Sequence, residues 1–416
     1  ADQLIADELP DRFAYCEGLT FFQRVENPDL ERLYLEYMPL TFSRRHGDPS
    51  RPWNRFSIET RNPDGSKKLS YEGNWRDIFQ NWEALGISYP GFLESMICKF
   101  VNASTADGYN PYRITRSGID WEVDDPDDPW SYIGYWGDHQ IIYLLKLMEQ
   151  SEAYHPGKLQ ELLSKNIFVY ANVPYRIKPY ESLLNDPQNS IDFDTEAHEA
   201  AIALSRDIGS DGKLVHRGDN GIYHVNLTEK LLVPLLAKLS NFIPEAGIWM
   251  NTQRPEWNDA NNALAGYGLS VVTAAYLHRF VLFLQKLLPS GEHTLTVSEG
   301  AAAFFRDILE ILSEYQPEVP DPQGVGRMAF VRAAGEAGER YRERVYSGTF
   351  AASAETLTFN EIKAFLGRAE TVAGATLREN KRPDNLYHSY NIMIVRKKGI
   401  LVETLDEMLE GQAAML

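Results

Sequence analysis

The stretch NNALAGYGLSVVTAAYLHRFVLFLQKLL, residues 261–288, decides the fold that the sequence predicts. Its apolar residues recur at helical spacing and lie on nearly every side of the helix. A helix that is apolar all round must be covered by protein on all sides, whereas an amphipathic helix covers only one face. We therefore expect this stretch to form a central helix around which other helices pack.

Helical periodicity also dominates the rest of the chain. Segment 77–104 reads as a helix, a Gly/Pro turn and a second helix, and segment 194–209 begins at an Asp cap and ends at a Gly. Pro234 lies inside the helical pattern 226–244 and predicts a kink or a break. The other predicted helices are 138–154, 158–171, 296–316 and 358–380, and the strand-like pieces are 30–42, 213–225 and 387–404.

These helices predict a ring of hairpins. Helices joined by loops that are alternately tight and long pair into antiparallel hairpins. The predicted fold class is mainly α, an (α/α) helical toroid of antiparallel hairpins with a few short β segments near the mouth and the C-terminus. Long loops gather at one mouth of such a ring and build a site there. We expect an N-terminal extension with short strands at 1–69, the toroid core at 70–316 and its continuation at 317–416.

Two segments stand apart from this pattern. Residues 317–350 are charged and rich in Gly and Ala, which predicts either a linker or a surface helix. The loop at 106–137 is dense in Asp, Trp, Tyr and Gly and is too long for a passive connector. The predicted helices are too few for a full ring, so we expect a fragment of a longer protein with further domains.

Composition excludes several classes of partner. The formal net charge of −18 argues against nucleic acid and anionic membrane, because phosphate binding needs clustered Lys and Arg. Cys16 and Cys98 are too few for a disulfide framework and stand in no metal-ligand spacing. No apolar run approaches the ~20 residues of a membrane span. We expect a cytoplasmic protein.

The 8 Trp residues favour a sugar-binding cleft. All of them, Trp121 in the long loop included, fall in or beside connections rich in Gly, Pro, Asn and Asp, or at helix starts. Core Trp would lie in mid-helix more often. Flat rings stack on the C–H faces of sugars, while carboxylates and amides bond the hydroxyl groups.

The first candidate site is EGNWRDIFQNWEAL, residues 72–85. Arg76 and Asp77 stand at a helix start, where Asp77 can cap the helix while Arg76 pairs with a nearby acid. The functional alternative is that both side chains clamp vicinal sugar hydroxyls while Trp75 or Trp82 stacks on the ring.

The second candidate site is GYWGDHQIIYLLKL, residues 134–147. Asp138 occupies an N-cap position, which alone explains an Asp. Trp136, His139 and Gln140 exceed what a cap needs. The helix N-terminus favours the ionised form of Asp138, which suits a hydroxyl acceptor or a base that activates water.

The third candidate site is RPEWNDANNAL, residues 254–264. A cluster of caps is one interpretation. The other is a catalytic pair, since Glu256 and Asp259 are three residues apart with Trp257 between them. A general acid must hold its proton near neutral pH, which takes burial or a like-charged neighbour, and each carboxylate supplies that to the other.

Two carboxylates on separate loops favour glycoside hydrolysis. One carboxylic acid protonates the departing oxygen, and in the inverting geometry a carboxylate about 6.5–9.5 Å away activates water. Asp259 and Asp138 would meet at the mouth of a toroid. A different interpretation assigns Ca²⁺ to the acidic segment 120–130, but that segment lacks the Gly and Glu of a recognised loop, so neither a metal nor a cofactor is predicted.

Three segments together resemble the six-hairpin helical-toroid glycosidases, a group that includes debranching-type glucosidases, trehalase-like enzymes and disaccharide phosphorylases. They are YEGNWRDIFQNWEALGISYPGF (71–92), GYWGDHQIIYLL (134–145) and RPEWNDANNALAGYGLSVVTAAYL (254–277). WNDANN is similar to the Trp-Asn-Asp segment of the cellobiose-phosphorylase group, which implies Asp259 as general acid. NWRDIF is similar to the sugar-binding helix start of debranching-type enzymes, which implies that role for Arg76 and Asp77.

The resemblance is incomplete. Glu256 stands where the family usually has Gly, and Ala260 follows the motif. RPDNLYHSYNIM, residues 382–393, resembles a segment of large uncharacterised bacterial proteins of this clan. The base is Asp138, a residue of a missing C-terminal part, or inorganic phosphate, for which His388, His139 and Arg76 are the candidate ligands.

The leading hypothesis is a carbohydrate-active enzyme that cleaves a glycosidic bond in a glucan-like oligosaccharide with inversion. The alternatives are a disaccharide phosphorylase and a non-catalytic sugar-binding protein. The catalytic candidates are Asp259, Asp138 and Glu256. The predicted substrate-binding residues are Trp75, Arg76, Asp77, Trp82, Trp121, Trp136, His139, Gln140, Trp257, Asn258, Asn261 and His388.

Overall fold

The computed structural model describes residues 9–10, 12–39, 61–111, 113–123, 127, 133–135, 140–218, 221–252, 264–291 and 293–415. For Arg76, Asp77 and Gln140 it describes the backbone alone. About 52% of the described residues are helical and 16% lie in strands. The predicted fold class, a mainly α toroid of hairpins, is therefore wrong, because a five-stranded antiparallel sheet, curled into a half-barrel, is part of the architecture.

The described part of the chain contains 14 α-helices. In chain order they are α1 Tyr15–Arg24, α2 Pro28–Leu35, α3 Trp75–Ser88, α4 Leu93–Ala103, α5 Gln140–Tyr154, α6 Lys158–Leu162, α7 Tyr180–Asn185, α8 Thr195–Ile208, α9 Leu227–Ser240, α10 Val271–Leu287, α11 Glu299–Glu314, α12 Val325–Tyr346, α13 Phe359–Glu379 and α14 Gln412–Met415.

The strands form four small antiparallel sheets among the described residues. In chain order they are β1 Glu72–Asn74, β2 Arg113–Thr115, β3 Ile119–Asp120, β4 Tyr175–Ile177, β5 Ile191–Phe193, β6 Phe242–Ile243, β7 Gly247–Trp249, β8 Gly268–Ser270, β9 Thr294–Ser298, β10 Ala354–Thr358, β11 Tyr390–Arg396 and β12 Gly399–Thr404. The sheets are β1-β2-β3, β4-β5, β10-β9 and β12-β11-β8-β7-β6.

Helix α9 is the central element of the molecule. All of its residues are buried, and it packs against α4, α5, α11 and α12, while α10 and α13 pack on each other outside it. The expectation that 261–288 forms the central helix is wrong. Within the described part of that stretch, α10 begins only at Val271, and it exposes Arg279, which pairs with Glu149 at 2.6 Å.

The buried charges of α9 have partners. Glu229 accepts hydrogen bonds from the Tyr170 hydroxyl at 3.1 Å and from the backbone N–H of Ser298 at 2.8 Å. Lys230 donates to the carbonyls of Val169 at 2.7 Å and Ser104 at 3.2 Å, and its ammonium lies 3.6 Å from the ring centroid of Tyr170. Burial raises the pKa of Glu229 and lowers that of Lys230 well below its ordinary value.

The five-stranded sheet joins segments that are far apart in sequence. β8 pairs with β7 on one side and with β11 on the other, so Ser270 lies opposite Tyr390. Arg327 of α12 links the two edge strands of this sheet, because it donates to the carbonyl of Pro244, which follows β6, at 3.0 Å and to that of Ile400 in β12 at 2.7 Å. Local periodicity does not reveal such pairing, which is why a helix was predicted where β8 lies.

The strand predictions had mixed outcomes. Residues 387–404 form the β11–β12 hairpin, as predicted. The prediction for 30–42 is wrong, because Asn27 caps a helix with Pro28 at its first position, and that helix runs to Leu35. In 213–225 the described residues form only isolated bridges, such as that between Val225 and Phe168.

Most helix predictions are confirmed, and capping side chains mark two of these helices. Segment 77–104 is the pair α3 and α4, Asp194 caps α8, and Thr358 forms a capping box for α13. Helix 158–171 ends early, at Leu162, and α9 continues through Pro234 to Ser240 without a break.

The predictions for the segment 317–350 and for the domain boundaries can be compared with the structure. Within 317–350 lies α12, which buries one face, so this segment is neither a linker nor only a surface helix. The division at residues 69 and 316 stays a prediction, although the five-stranded sheet joins strands from both sides of 316.

Among the described helices, none has both the length and the apolar composition to cross a membrane.

Replacing Leu236 of α9 by Ala tests its central position. Leu236 has no exposed surface, so Leu236→Ala should lower the free energy of unfolding by about 2–5 kcal/mol. Leu409→Ala is the control, because Leu409 is 80% exposed and its change should stay below about 0.5 kcal/mol. Urea denaturation measures both, and equal losses would contradict a central α9.

Candidate functional site

Most of the predicted site residues lie outside the described part of the chain. All three catalytic candidates, Glu256, Asp259 and Asp138, belong to this group, as do Trp136, His139, Trp257, Asn258 and Asn261. Arg76 and Asp77 lie in the first turn of α3, and Gln140 is the first residue of α5, but their side chains are not described. The roles of all these residues stay predictions.

Two of the Trp residues are core residues. Trp75 and Trp82 have no exposed surface, and Trp75 packs 4.3 Å from Phe100, centroid to centroid, while Trp82 packs 5.1 Å from Phe79. A sugar cannot reach the faces of these rings. Their assignment to sugar stacking is therefore corrected, because Phe100 of α4 covers Trp75 and Tyr71 covers Trp82.

Trp121 and His388 both form contacts within the folded chain. Trp121 is only 6% exposed, and its indole N–H donates to Nδ1 of His198 at 3.0 Å. The ammonium of Lys213 lies 5.0 Å from the ring centroid of Trp121. His388 donates its backbone N–H to Asn380 at 2.9 Å, and its buried Nδ1 has no partner among the described residues. Among the described residues, Trp121 is therefore a packed ring held by His198 and Lys213 rather than an exposed stacking surface.

The two segments that carry the proposed carboxylates start from one junction. Tyr135 precedes the segment with Asp138, and Thr252 precedes the segment with Asp259. The N–H of Tyr135 donates to the carbonyl of Thr252 at 3.2 Å, and Oγ1 of Thr252 donates to the carbonyl of Tyr135 at 3.1 Å. The described residues thus bring together two points 117 residues apart in sequence.

A buried amide network fixes this junction. Asn251 donates to the side-chain oxygen of Asn241 at 2.8 Å, and Asn241 donates to the Tyr109 hydroxyl at 2.9 Å. Tyr109 stacks on Tyr135 with ring centroids 5.0 Å apart. All four side chains are buried, so the start of both segments is held by satisfied hydrogen bonds rather than by solvent-exposed contacts.

A cavity of about 780 Å³ adjoins the junction, with Tyr135 in its wall. That volume lies in the range of small-molecule sites, roughly 300–1,000 Å³. Tyr175, Tyr223 and Phe350 line its depth, and small residues of α8, among them Ala200 and Ala201, line one side. The polar side chains of the wall are Thr105, Asp107, Asn172, Arg176, His216, Arg217, Tyr346 and Ser353.

Asp107 is the buried carboxyl group of this wall. It accepts hydrogen bonds from the hydroxyls of Thr105, of Tyr346 at 2.9 Å and of Tyr135 at 3.5 Å. Burial raises its pKa, although the hydrogen bonds from Thr105 and Tyr346 and the charges of Arg176 and Arg342 oppose that shift. Asp107 combines burial with a perturbed pKa, and this combination is typical of functional sites.

The cations around the cavity are bound to different extents. Arg176 pairs with Asp194 at 3.0 Å and lies over the ring of Tyr346, 4.9 Å from its centroid. Arg217 stacks over Tyr223 at 5.0 Å, and its guanidinium forms no ion pair among the described residues. Arg176 is therefore held by an ion pair and a ring contact, whereas Arg217 is held by Tyr223, through a hydrogen bond and the ring contact.

Sequence reasoning missed Asp107. The signal is present in STADGYNP, residues 104–111, where an acid follows an apolar helix. An Asp-Gly pair ordinarily indicates a turn, and Gly108 indeed has a φ of +93°. Nothing in the local pattern indicates that the carboxyl group is buried, because Tyr346, whose hydroxyl bonds to it, comes from a helix more than two hundred residues later.

The arrangement suits a ligand with many hydroxyl groups. Carboxylate, amide, guanidinium and tyrosine hydroxyl groups converge on one space, and such groups fix the orientation of a polar ligand. No cluster of three or more His, Cys, Asp or Glu with metal-binding geometry is found among the described residues. The acidic segment 120–130 lies largely outside them.

Comparison with protein-family models and with curated proteins gives no match. The resemblance to six-hairpin glycosidases therefore stays a prediction that rests on the three sequence segments.

The raised pKa of Asp107 predicts how stability depends on pH. In the interval above the ordinary Asp pKa, the folded state holds more protons than the unfolded state, so this group makes stability fall as pH rises. Asp107→Asn should remove that contribution, so the stability of the variant relative to the wild type should increase with pH, as measured by urea denaturation between pH 4 and 8.

Asp64→Asn is the control for this experiment. The pKa of the exposed Asp64 is lowered by its hydrogen bonds from Ser66, so the variant should show a small difference of the opposite sign. A relative stability of Asp107→Asn that does not change with pH would contradict a raised pKa.

Proposed function

We propose that the chain belongs to a carbohydrate-active enzyme that cleaves a glycosidic bond in a glucan-like oligosaccharide with inversion. Asp259 is the proposed general acid, and Asp138 is the proposed base or the anchor of a sugar hydroxyl. The observation that carries this proposal is the pair of hydrogen bonds between Tyr135 and Thr252. The two segments with the proposed carboxylates begin at these residues.

A common starting point matters because the chemistry needs two carboxyl groups around one bond. In an inverting glycosidase they lie about 6.5–9.5 Å apart, with a water molecule between one carboxylate and the sugar. Segments that leave the core from opposite ends of the molecule could not meet this requirement. The buried hydrogen bond between Asn241 and Asn251 supports the proposal further, because a fixed starting point helps to hold catalytic groups at a constant distance from each other.

The adjoining cavity supports the substrate class. Its wall combines Tyr and Phe with Asp107, Asn172 and Arg217, and its polar groups match the hydroxyls of a sugar chain. Glu256, three residues before Asp259, is the neighbour proposed to keep the general acid protonated. The expected partner is the oligosaccharide, and a cytoplasmic location remains an expectation from composition.

Removing the proposed general acid should abolish turnover. Asp259→Asn and Asp138→Asn should each lower kcat by about 10²–10⁴-fold, the contribution of acid–base catalysis, when cleavage of a panel of oligosaccharides is followed by chromatography. Asp307→Asn is the control, since Asp307 forms only a surface ion pair with Arg340 at 2.8 Å. Unchanged turnover in Asp259→Asn would refute the assignment.

A phosphate requirement separates hydrolysis from its alternative. We expect cleavage in buffer without phosphate, with release of a free sugar whose anomeric configuration is inverted, as proton NMR detects at early times. Formation of a sugar 1-phosphate only when inorganic phosphate is added would instead support the phosphorylase. Oligosaccharide binding by calorimetry without any product would support the non-catalytic alternative.

A further inference from the structure

Helix α2 is attached to the rest of the molecule through its charged side chains. Glu31 pairs with Lys165 at 2.8 Å, and Arg32 pairs with Asp211 at 2.7 Å. Arg32 is only 3% exposed and Glu31 only 8%. A buried charge that loses its partner destabilises the folded state strongly, so these two pairs fix where α2 lies.

The two other charged residues of segment 28–36 also contact distant parts of the chain. Asp29 accepts a hydrogen bond from Nε2 of His224 at 3.1 Å. Glu36, directly after the helix, accepts a hydrogen bond from Asn102 at 2.6 Å and pairs with Lys99 at 3.4 Å. Every charged side chain of this short segment is therefore bonded to another element.

Two of these contacts reach a hairpin that forms one wall of the cavity. We call residues 213–225 the wall hairpin, of which 219 and 220 lie outside the described part of the chain. The N–H of Arg217 donates to the carbonyl of Gly221 at 2.8 Å, and that of Tyr223 donates to Val215 at 2.9 Å. The cavity-lining residues of the wall hairpin are Leu214, Val215, His216, Arg217, Gly218 and Tyr223.

Helix α2 holds this hairpin at both ends. Asp211, the partner of Arg32, stands just before the first arm, and its carbonyl accepts a hydrogen bond from Nε2 of His216 at 2.9 Å. His224, which bonds to Asp29, stands on the second arm next to Tyr223. One helix thus restricts the movement of both arms.

Other bonds keep the wall hairpin in the fold when these side-chain contacts are lost. The N–H of Val215 donates to the carbonyl of Tyr170 at 2.9 Å, and that of Val225 donates to Phe168 at 2.8 Å. Loss of the contacts with α2 should therefore loosen the hairpin without unfolding the chain. Such local opening costs less free energy than global unfolding.

We infer that α2 is an ionic clamp on the wall hairpin, and that docking and release of this helix control access to the cavity. The clamp responds to ionic strength, because the side chains of Asp29 and Lys165 are 42% and 35% exposed and salt screens charges that reach solvent. It acts on the cavity whatever ligand binds there, so it does not rest on the proposed function.

Hydrogen–deuterium exchange at two salt concentrations tests the clamp in the wild-type chain. Between about 0.01 M and 1 M NaCl the Debye length falls from about 30 Å to about 3 Å. Amide exchange should become faster in α2 and in the wall hairpin together, while exchange in α13, which packs on α10 and α11, should stay the same. Salt-independent exchange in either α2 or the hairpin would refute the clamp.

Single substitutions test whether the two elements are coupled. Arg32→Gln should speed exchange in the wall hairpin, and Asp211→Asn should speed exchange in α2, each by about tenfold or more, the effect of losing one hydrogen bond between charged groups. Glu161→Gln is the control, because it removes the exposed pair with Lys158 and should change neither element. An equal rise throughout the chain would indicate general destabilisation and would overturn the proposal.

Asp29→Ala repeats the test at a more exposed position. It removes the partner of His224 and keeps the pair of Arg32 with Asp211, so the chain should fold even where Arg32→Gln does not. Exchange in the wall hairpin should rise by about two- to fivefold, as for a partly exposed pair. A hairpin that exchanges at the wild-type rate in this variant would contradict the clamp.

Labelling of an introduced thiol tests access to the cavity. Ala201 lines the cavity and is 4% exposed, whereas Ala203 is exposed on the same helix and is not among the described residues of the lining. Ala201→Cys and Ala203→Cys are each made in a chain with Cys16→Ser, because Cys16 is exposed and Cys98 is buried. Iodoacetamide, which is uncharged, then measures the rate of labelling.

The expected result is selective for the cavity. Arg32→Gln and 1 M NaCl should each speed labelling at Ala201→Cys by about tenfold or more and leave labelling at Ala203→Cys unchanged. Faster exchange in the wall hairpin without faster labelling at Ala201→Cys would refute control of access. No substrate enters these measurements, so their outcome is independent of whether the chain cleaves a glycosidic bond.

Discussion

The complete burial of α9 is the constraint on which the rest of the structure depends. A helix with no solvent-exposed face can carry charges only where neighbouring elements supply partners, and α9 carries Glu229 and Lys230. Ser298, at the start of α11, and the segment 168–171 provide those partners. The hydrogen bonds therefore fix the positions of neighbouring elements in addition to the non-directional apolar packing around the helix.

The same helix positions the candidate site. Asn241 follows its last turn and holds both Tyr109 and Asn251, which leads to the junction of Thr252 with Tyr135. Helix α12 packs on α9 and brings Tyr346 to Asp107, whose carboxyl group accepts the Tyr346 hydroxyl at 2.9 Å. The junction of Tyr135 with Thr252 and the wall of the cavity around Asp107 thus depend on the same central helix.

The fold could be predicted only where its causes are local. Asp194 and Thr358 cap helices by bonding to backbone groups three residues away, so their helices are visible in the sequence. β8 lies inside a helical pattern and becomes a strand because it pairs with β11 more than one hundred residues later. Trp75 and Trp82 stand at a helix start and in a polar pattern, yet tertiary packing buries both rings completely.

By itself the sequence determined most helix positions and which acidic and aromatic segments deserve a functional hypothesis. Each follows from composition or from contacts within a few residues. The tertiary structure alone decided that α9 is central, that a five-stranded sheet joins distant segments, that Tyr135 meets Thr252, and that Asp107 is buried against Tyr346. Those features depend on contacts between residues distant in sequence, and burial is a property of the folded chain that no local pattern contains.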